Sequence, residues 1–470
     1  GSIDWLCWPA FDSDACFAAL LGNHRHGRWL VAPAGEIRRS SRRYRDNTLI
    51  LETRFETADG AVDLIDFMPP RGNASDVLRL VRGVRGRVRM QMQLVIRFGF
   101  CADIPWVKKS ADGTALLAIC GPDMTVLRTP VETRGEDLTT VADFDVGAGE
   151  TIPFVLTYGP SHLPTPKPID PEHALRDTEA FWTEWCSRCT YQGEYRDLVM
   201  RSLITLKAQT YGPSGGIVAA PTTSLPEKLG GSRNWDYRFC WIRDGFFVVR
   251  ALNSLAAVRT MELYFRWMMN VVADARSGHI QPVYGIGLEH ELTEREMTAL
   301  PGYRGMGPVR SGNLAYKQFQ HDTYGNIILG ASQAFVDRRL FMEVGQVEYA
   351  RLETIGEQAF LLHDKPDAGI WELRTRERPH TSSAIMCWAG CDRLAKIGLY
   401  LGLNDRANVW RQRADQIKAT VFERSWSNER GAFVESFGGR HLDASVLLMG
   451  EVDMIDPKDP RFVSTGDALE

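Results

Sequence analysis

Polar and apolar positions alternate through one stretch of the first hundred residues. In Val88-Arg89-Met90-Gln91-Met92-Gln93-Leu94-Val95-Ile96-Arg97-Phe98, every even position is apolar and every odd one polar except Val95. A two-residue period predicts a half-buried antiparallel strand. Leu49, Leu51 and Phe55 mark a second alternating run, and Val62 to Phe67 a third. Asp59-Gly60, Pro69-Pro70 and Gly121-Pro122 punctuate them with turn residues. Many short strands between frequent turns predict an antiparallel β-sandwich over residues 1–160.

The period changes beyond that point. Pro160, Pro164, Pro166, Pro168 and Pro171 form a stiff connector, with a short helix expected near 171–188, so residues 161–193 read as a linker. From 194 to 470 the apolar positions recur at 3.6 residues. Tyr195, Leu198, Val199, Leu203 and Leu206 share one face over 194–211. Trp410, Ala414, Ile417 and Val421 do so over 405–422, with Asn404 or Asp405 as the cap. Further helices are expected near 244–256, 257–273, 323–338, 345–363, 382–401 and 443–450. Helices in pairs, joined by some long loops, suggest an α/α toroid whose loops at one end carry a site. No repeat of fixed period marks a solenoid.

Composition narrows the function. The 470 residues are 44% hydrophobic and 24% charged with a net charge of -4, an ordinary balance that favours neither nucleic acid nor an anionic membrane. The arginine-dense stretches Arg38–Arg45 and Arg79–Arg97 read as solvated strand faces. No run of 18 apolar residues spans a membrane, and the first residues do not form a signal sequence. Nine cysteines are scattered without disulfide or zinc-like spacing. Buried thiols in a reducing, cytoplasmic compartment are expected, with no metal and no cofactor.

Two segments carry chemistry. Asn234-Trp235-Asp236-Tyr237-Arg238-Phe239-Cys240-Trp241-Ile242-Arg243-Asp244 combines aromatic rings with an Arg-Asp pair, and Gly369-Ile370-Trp371-Glu372-Leu373-Arg374 sets an acid after tryptophan. Sugars offer flat CH faces to indoles and vicinal hydroxyls to carboxylates and guanidinium forks. Ile370, Trp371 and Leu373 could give Glu372 a partly apolar setting that keeps it protonated for general-acid catalysis. Asp244 either caps a helix or grips sugar hydroxyls beside Trp235, Tyr237 and Trp241. The long Gly-rich loop from Val283 to Gly325, with Tyr303 and Arg304, reads as a binding rim. The acids Glu289, Glu291, Glu294 and Glu296 within it read as a solvated helical turn.

Together these segments resemble family 15 glycoside hydrolases, the glucoamylases and their trehalase relatives. The opening Gly1-Ser2-Ile3-Asp4-Trp5-Leu6-Cys7-Trp8-Pro9, Gly302-Tyr303-Arg304-Gly305 and Met386-Cys387-Trp388 extend the resemblance over most of the chain. It implies a β-sandwich followed by an (α/α)6 barrel and exo-hydrolysis of an α-glucosidic bond with inversion. It also implies Glu372 as general acid, Arg243 and Asp244 holding the non-reducing glucose, and Trp241 and Trp371 walling it.

Two departures stand out. Inversion needs a second carboxylate roughly 6.5–9.5 Å from the acid. In the family that base lies late in the barrel, and no such motif is present, so both ends are expected to be missing and the 470-residue chain inactive and poorly soluble or oligomeric. Glu435 and the acids at 289–296 are the alternatives inside the chain. Where relatives often show His-Ser-Lys before Met-Cys-Trp, this chain has Ser382-Ser383-Ala384. The expected function is an inverting exo-α-glucosidase on α-glucans or maltooligosaccharides. Trehalose hydrolysis is the alternative, and an inverting phosphorylase or a glycan-binding fragment the further ones. The expected partner is an oligosaccharide or disaccharide, with homo-oligomers compatible.

Overall fold

A computed structural model describes residues 1–72, 74–275, 278–340 and 344–470. The chain forms two compact units. One comprises Gly1–Gln209, Ala220–Arg238 and Glu294–Gly312, and the other Thr210–Ala219, Phe239–Thr293 and Asn313–Glu470.

The first unit is built on twelve antiparallel strands. Its central strand, Ser75–Val95, runs for 21 residues and serves two sheets. Its first half pairs with Gly60–Phe67 and Thr151–Pro160, and its second half with Arg28–Pro33 and Thr139–Gly147. Val88, Met90, Met92 and Leu94 point into the core, as the alternation requires. Upstream the parity is reversed, because Val77 and Val81 face the same core. The flip comes from a bulge: Ala61 pairs with Arg85 but Val62 with Gly83, which leaves Val84 unmatched. Leu78 and Leu80 therefore face outward, where Ala174 and Leu175 of helix α1 (Pro171–Ser187) cover them.

Reversed parity also decides the fate of one arginine. Arg39–Tyr44 is exposed throughout, as a solvated face should be. Arg79 instead has the inward parity of Val77 and Val81 and is fully buried. The fold tolerates this because Arg79 grips Asp66 with two nitrogens, at 2.7 and 3.0 Å, and donates to the Trp29 carbonyl oxygen. Arg97 is also buried. The solvated-face expectation fails for both. Helix α2 (Arg196–Ala208) completes the first unit's helices.

The second unit contains helical hairpins. Helices α3 (Ile242–Ser254) and α4 (Val258–Asp274) form the first, α5 (Asp322–Val336) and α6 (Gln346–Leu362) the second, and α7 (Thr381–Tyr400) and α8 (Asn404–Ser425) the third. Helices α5 and α7 are buried on nearly all sides, so they read as apolar runs rather than stripes. They pack so closely at Gly325 that a Cβ there would lie 2.0 Å from the Met386 carbonyl oxygen. Helix α3 packs on α5, so the first turns of α3, α5 and α7 carry the residues of interest. Helix α8 begins at Asn404 with Leu403 at its N-cap and no side-chain cap, so neither Asn404 nor Asp405 caps it. A reverse turn at Gly402 (φ 75°) leads straight into the helix instead. A short helical stretch near 443–450 is present as a 3₁₀ turn followed by α9 (Leu448–Glu451), and α10 (Pro460–Leu469) was not anticipated.

The acids at 289–296 form no helical turn. Glu289 folds back so that its carboxylate accepts from the Gly287 N–H at 2.9 Å, and Arg295–Glu296 pairs with Arg310–Ser311 as a short ladder. A left-handed Leu288 (φ 76°) sets the reversal that a helix would not allow.

Replacing Asp66 by Ala leaves the buried Arg79 guanidinium without its counter-charge. A loss of about 3–5 kcal/mol of stability is expected, read as a lower urea midpoint; a change below 1 kcal/mol would show the pair to be dispensable.

Candidate active site

The second unit gathers its polar groups where the inner helices begin. Cys240–Trp241 pairs with Val283–Tyr284, and the chain then turns directly into α3. Arg243 and Asp244 are thus the second and third residues of that helix, and Trp241 stands at its N-cap, so Asp244 is no cap. An acid in a helix's first turn complements the helix dipole.

Glu372 comes from the loop between α6 and α7. The turn is shaped by Gly369, with φ 66°, where a Cβ would meet the His380 ring at 2.5 Å. Glu372 is itself left-handed (φ 53°), and its N–H donates to the Gly369 carbonyl at 3.1 Å. A non-glycine residue held there stores strain that the surroundings must impose, a frequent trait of functional turns.

The turn brings Glu372 to Trp241 and Arg243. The Trp241 indole N–H donates to Glu372 Oε1 at 2.5 Å, and Arg243 Nη2 lies 3.3 Å from the same oxygen. The immediate setting of the carboxyl is therefore polar and charged rather than the apolar one its sequence neighbours suggested. Ile370, Trp371 and Leu373 do not supply those contacts. Gln318 Nε2 holds the Glu372 backbone carbonyl at 3.2 Å.

Arg243 is fixed from the other side. Its Nη1 donates to Gln320 Oε1 at 2.9 Å and to Asp322 Oδ2 at 3.3 Å. Burial works against the guanidinium charge, but Asp322, Glu372 and Asp244 more than offset it and hold its pKa above the ordinary arginine value. Asp322 opens α5, is buried, and also accepts from Asn326 Nδ2 at 3.0 Å. Asp244 is half-buried; burial pushes its carboxyl above the ordinary range while Arg243 pulls the other way.

A second buried acid supports the same loop. Asp367 Oδ2 accepts from the His321 N–H at 2.8 Å and from Ser383 Oγ at 2.7 Å. It thereby ties the start of α5 and the first turn of α7 to the segment leading into Gly369. Ser383, part of the Ser382-Ser383-Ala384 departure, is an anchor for that acid. Glu435 is buried and ion-paired to Arg378 at 2.7 Å.

Of the residues singled out from sequence, Trp241, Arg243, Asp244 and Glu372 come together. Trp371 is adjacent in the chain but 63% exposed, its indole N–H donating to Asp443 Oδ2 at 2.6 Å. Tyr237, Tyr303 and Arg304 belong to the first unit. There the Tyr237 hydroxyl donates to Glu227 Oε1 at 2.8 Å, and the Arg304 guanidinium lies over the Tyr303 ring at 5.2 Å. Sequence reasoning missed Gln318, Gln320, Asp322, Asp367 and Ser383. The alternating Gln318-x-Gln320-x-Asp322 just ahead of an apolar helix was the available signal. Among the described residues no group of His, Cys, Asp and Glu is arranged to hold a metal ion, and no helix is long and apolar enough to cross a membrane.

Asp367 makes one pH effect readable. Burial raises its carboxyl from the ordinary 3.8 to about 7, against the pull of its two donors. The unfolded chain loses this proton first, so the stability that Asp367 contributes is fully present below about pH 4 and is lost as pH rises toward 7. The difference corresponds to roughly 4 kcal/mol. His321, pushed down to about 4 by burial, acts in the opposite sense below pH 6.5, so the test compares variants. Asp367→Asn should gain on the wild type progressively between pH 4 and 7 in urea denaturation; parallel curves would refute the assignment.

Comparison with known proteins gives the family. Residues 193–470 match the family described as Glycosyl hydrolases family 15, and residues 1–177 match Trehalase-like, N-terminal. A trehalase of Thermoplasma acidophilum is 31% identical over 482 residues, covering 100% of this chain and 81% of that protein. A trehalase of Mycobacterium tuberculosis is 33% identical, covering 99% of this chain and 72% of that protein. A crystal structure of bacterial glucoamylase complexed with acarbose superimposes with a TM-score of 0.70 at 13% identity, over 100% of this chain and 75% of that one. The antiparallel sheet, the helical hairpins and these full-length similarities together make the chain a glycoside hydrolase belonging to family 15.

Proposed function

We propose that the protein hydrolyses α,α-trehalose by inversion, with Glu372 as general acid. The observation that carries the chemistry is the clasp on Glu372 Oε1 by the Trp241 indole and the Arg243 guanidinium. With Oε1 engaged, the transferable proton belongs on Oε2, the oxygen left to meet the glycosidic oxygen. Protonation there lets the C–O bond break while water attacks the opposite face of the sugar, giving up its proton to a second carboxylate roughly 6.5–9.5 Å from Glu372. Arg243 and Asp244 hold the hydroxyls of the terminal glucose, and Trp241 and Trp371 are the residues proposed to wall it.

The choice of trehalose over α-glucans rests on the relatives, which are trehalases over nearly the whole chain. They favour this alternative over the glucoamylase-like reading first suggested by the motifs. On this reading the hairpins belong to an (α/α)6 toroid spanning 194–470, preceded by a sandwich over 1–160 and a linker over 161–193. Nine free thiols fit a reducing, cytoplasmic setting. Glu435 is already engaged by Arg378 and approached by Arg376.

Glucose release from trehalose, maltose and maltotriose tests the substrate. Trehalose should be preferred at least tenfold in kcat/KM, with α- and β-glucose released in equal amounts from trehalose because only one anomeric centre is inverted, read by polarimetry; a preference for maltotriose would restore the glucan reading.

Glu372→Gln should lower kcat by roughly 10²–10⁴ while leaving glucose-analogue binding nearly intact. A loss below tenfold would move Glu372 to a structural role. Asp244→Ala should raise KM and lower kcat together, since gripping the glucose serves ground and transition states alike.

A further inference from the structure

The first unit contains a cleft of about 400 Å³ whose lining includes Ile96, Arg97, Ile104, Trp106, Val107 and Leu138. Its floor holds an arginine without a counter-charge. The other buried arginines are matched, Arg79 by Asp66 and Arg238 by Asp236, as is the partly buried Arg243 by Asp322 and Glu372. Arg97 is 8% exposed, yet no carboxylate lies within ion-pair distance among the described residues. Its Nη1 donates to the carbonyl oxygens of Ile96 at 2.7 Å and Leu138 at 3.3 Å, and its remaining donors have no partner among the described residues. Burial lowers its pKa, against the pull of the Cys101 thiol. A desolvated charge of this kind is costly unless something pairs with it.

The walls of the cleft are apolar and open. Trp106 is 67% exposed and Leu138 68%, beside a half-open Ile104. Trp106–Lys109 is the edge strand of its sheet, and the Lys108 ammonium stands 5.0 Å over the Trp106 ring as a second cation. Asp137, the acid lining the same cleft, forms no ion pair with Arg97. Asp137 and Leu138 are both left-handed, with φ 45° and 58°, a strained pair that turns the Leu138 carbonyl onto Arg97. A neutral sugar would leave the guanidinium unmatched, whereas an anionic head would complete it with a charge-assisted bond.

We infer that this cleft binds a small organic anion, its charged head on Arg97 and its apolar body against Trp106, Ile104 and Leu138. The site is independent of the glycosidase site and of the substrate assigned to it.

The test is a fluorescence titration of the full chain with 8-anilinonaphthalene-1-sulfonate, alongside the uncharged N-phenyl-1-naphthylamine. Arg97→Met should weaken the sulfonate roughly 10- to 100-fold and leave the neutral dye unchanged. Trp106→Ala should weaken both, and Tyr44→Ser, on a distant exposed ring, neither. Glycosidase activity should persist in all three and reports intact folding. Should Arg97→Met not fold, Arg97→Gln serves in its place, with the same expected split between the dyes. Sulfonate binding unaffected by loss of the guanidinium, equal loss of both dyes in the Arg97 variant, or no sulfonate binding at all would each overturn the assignment.

Discussion

The candidate site depends on one buried guanidinium. Arg243 reaches Gln320 and Asp322 at the start of α5 and Glu372 on the turn before α7, while itself belonging to the first turn of α3. Three helix entries are thus referred to a single cation. Without it, the Asp322 and Glu372 carboxylates would lose the cation they share. Because the cation is planar and forked, it also fixes directions, which a lysine in its place would not. Preorganisation of this kind is what lets a catalytic carboxyl meet its substrate without rearrangement.

The same chemical device appears elsewhere with a different outcome. Arg79 and Arg238 are fully buried and bound by carboxylates and backbone carbonyls, so they act as internal fasteners. Asp244, beside Arg243, takes no side-chain hydrogen bond from another residue among the described residues, and this partial saturation fits the binding role proposed for the pair. Arg97 goes further still, since among the described residues carbonyl oxygens alone accept from it.

Much of this was legible in the sequence, and the failures have physical reasons. The alternation over 88–98 reports a strand with one core face, and the structure has it. The reversed parity upstream could not be read, because the bulge at Val84 is set by pairing with Ala61 and Val62 in another strand. Arg79 was misjudged for that reason alone. In the site, Trp241, Arg243, Asp244 and Glu372 stand out because aromatic and charged residues are clustered locally. Gln320, Asp322 and Asp367 do not, because Arg243, His321 and Ser383, the groups they hold, lie far along the chain from them. The polar surroundings of Glu372 were likewise invisible, since they are furnished by Trp241 and Arg243 across the fold.

The shared strand Ser75–Val95 has an implication for how this chain can vary. Insertions in a surface loop alter only the loop. A single residue added between Val81 and Val88 would either enlarge the bulge or rotate everything downstream by half a period. Rotation would turn Val88, Met90, Met92 and Leu94 to solvent and their arginine and glutamine neighbours into the core, while the upstream half stayed correct. One sheet would then be inside out relative to the other. Length in this segment is therefore held more tightly than residue identity, and divergence among related chains should accumulate here as substitutions rather than as gaps.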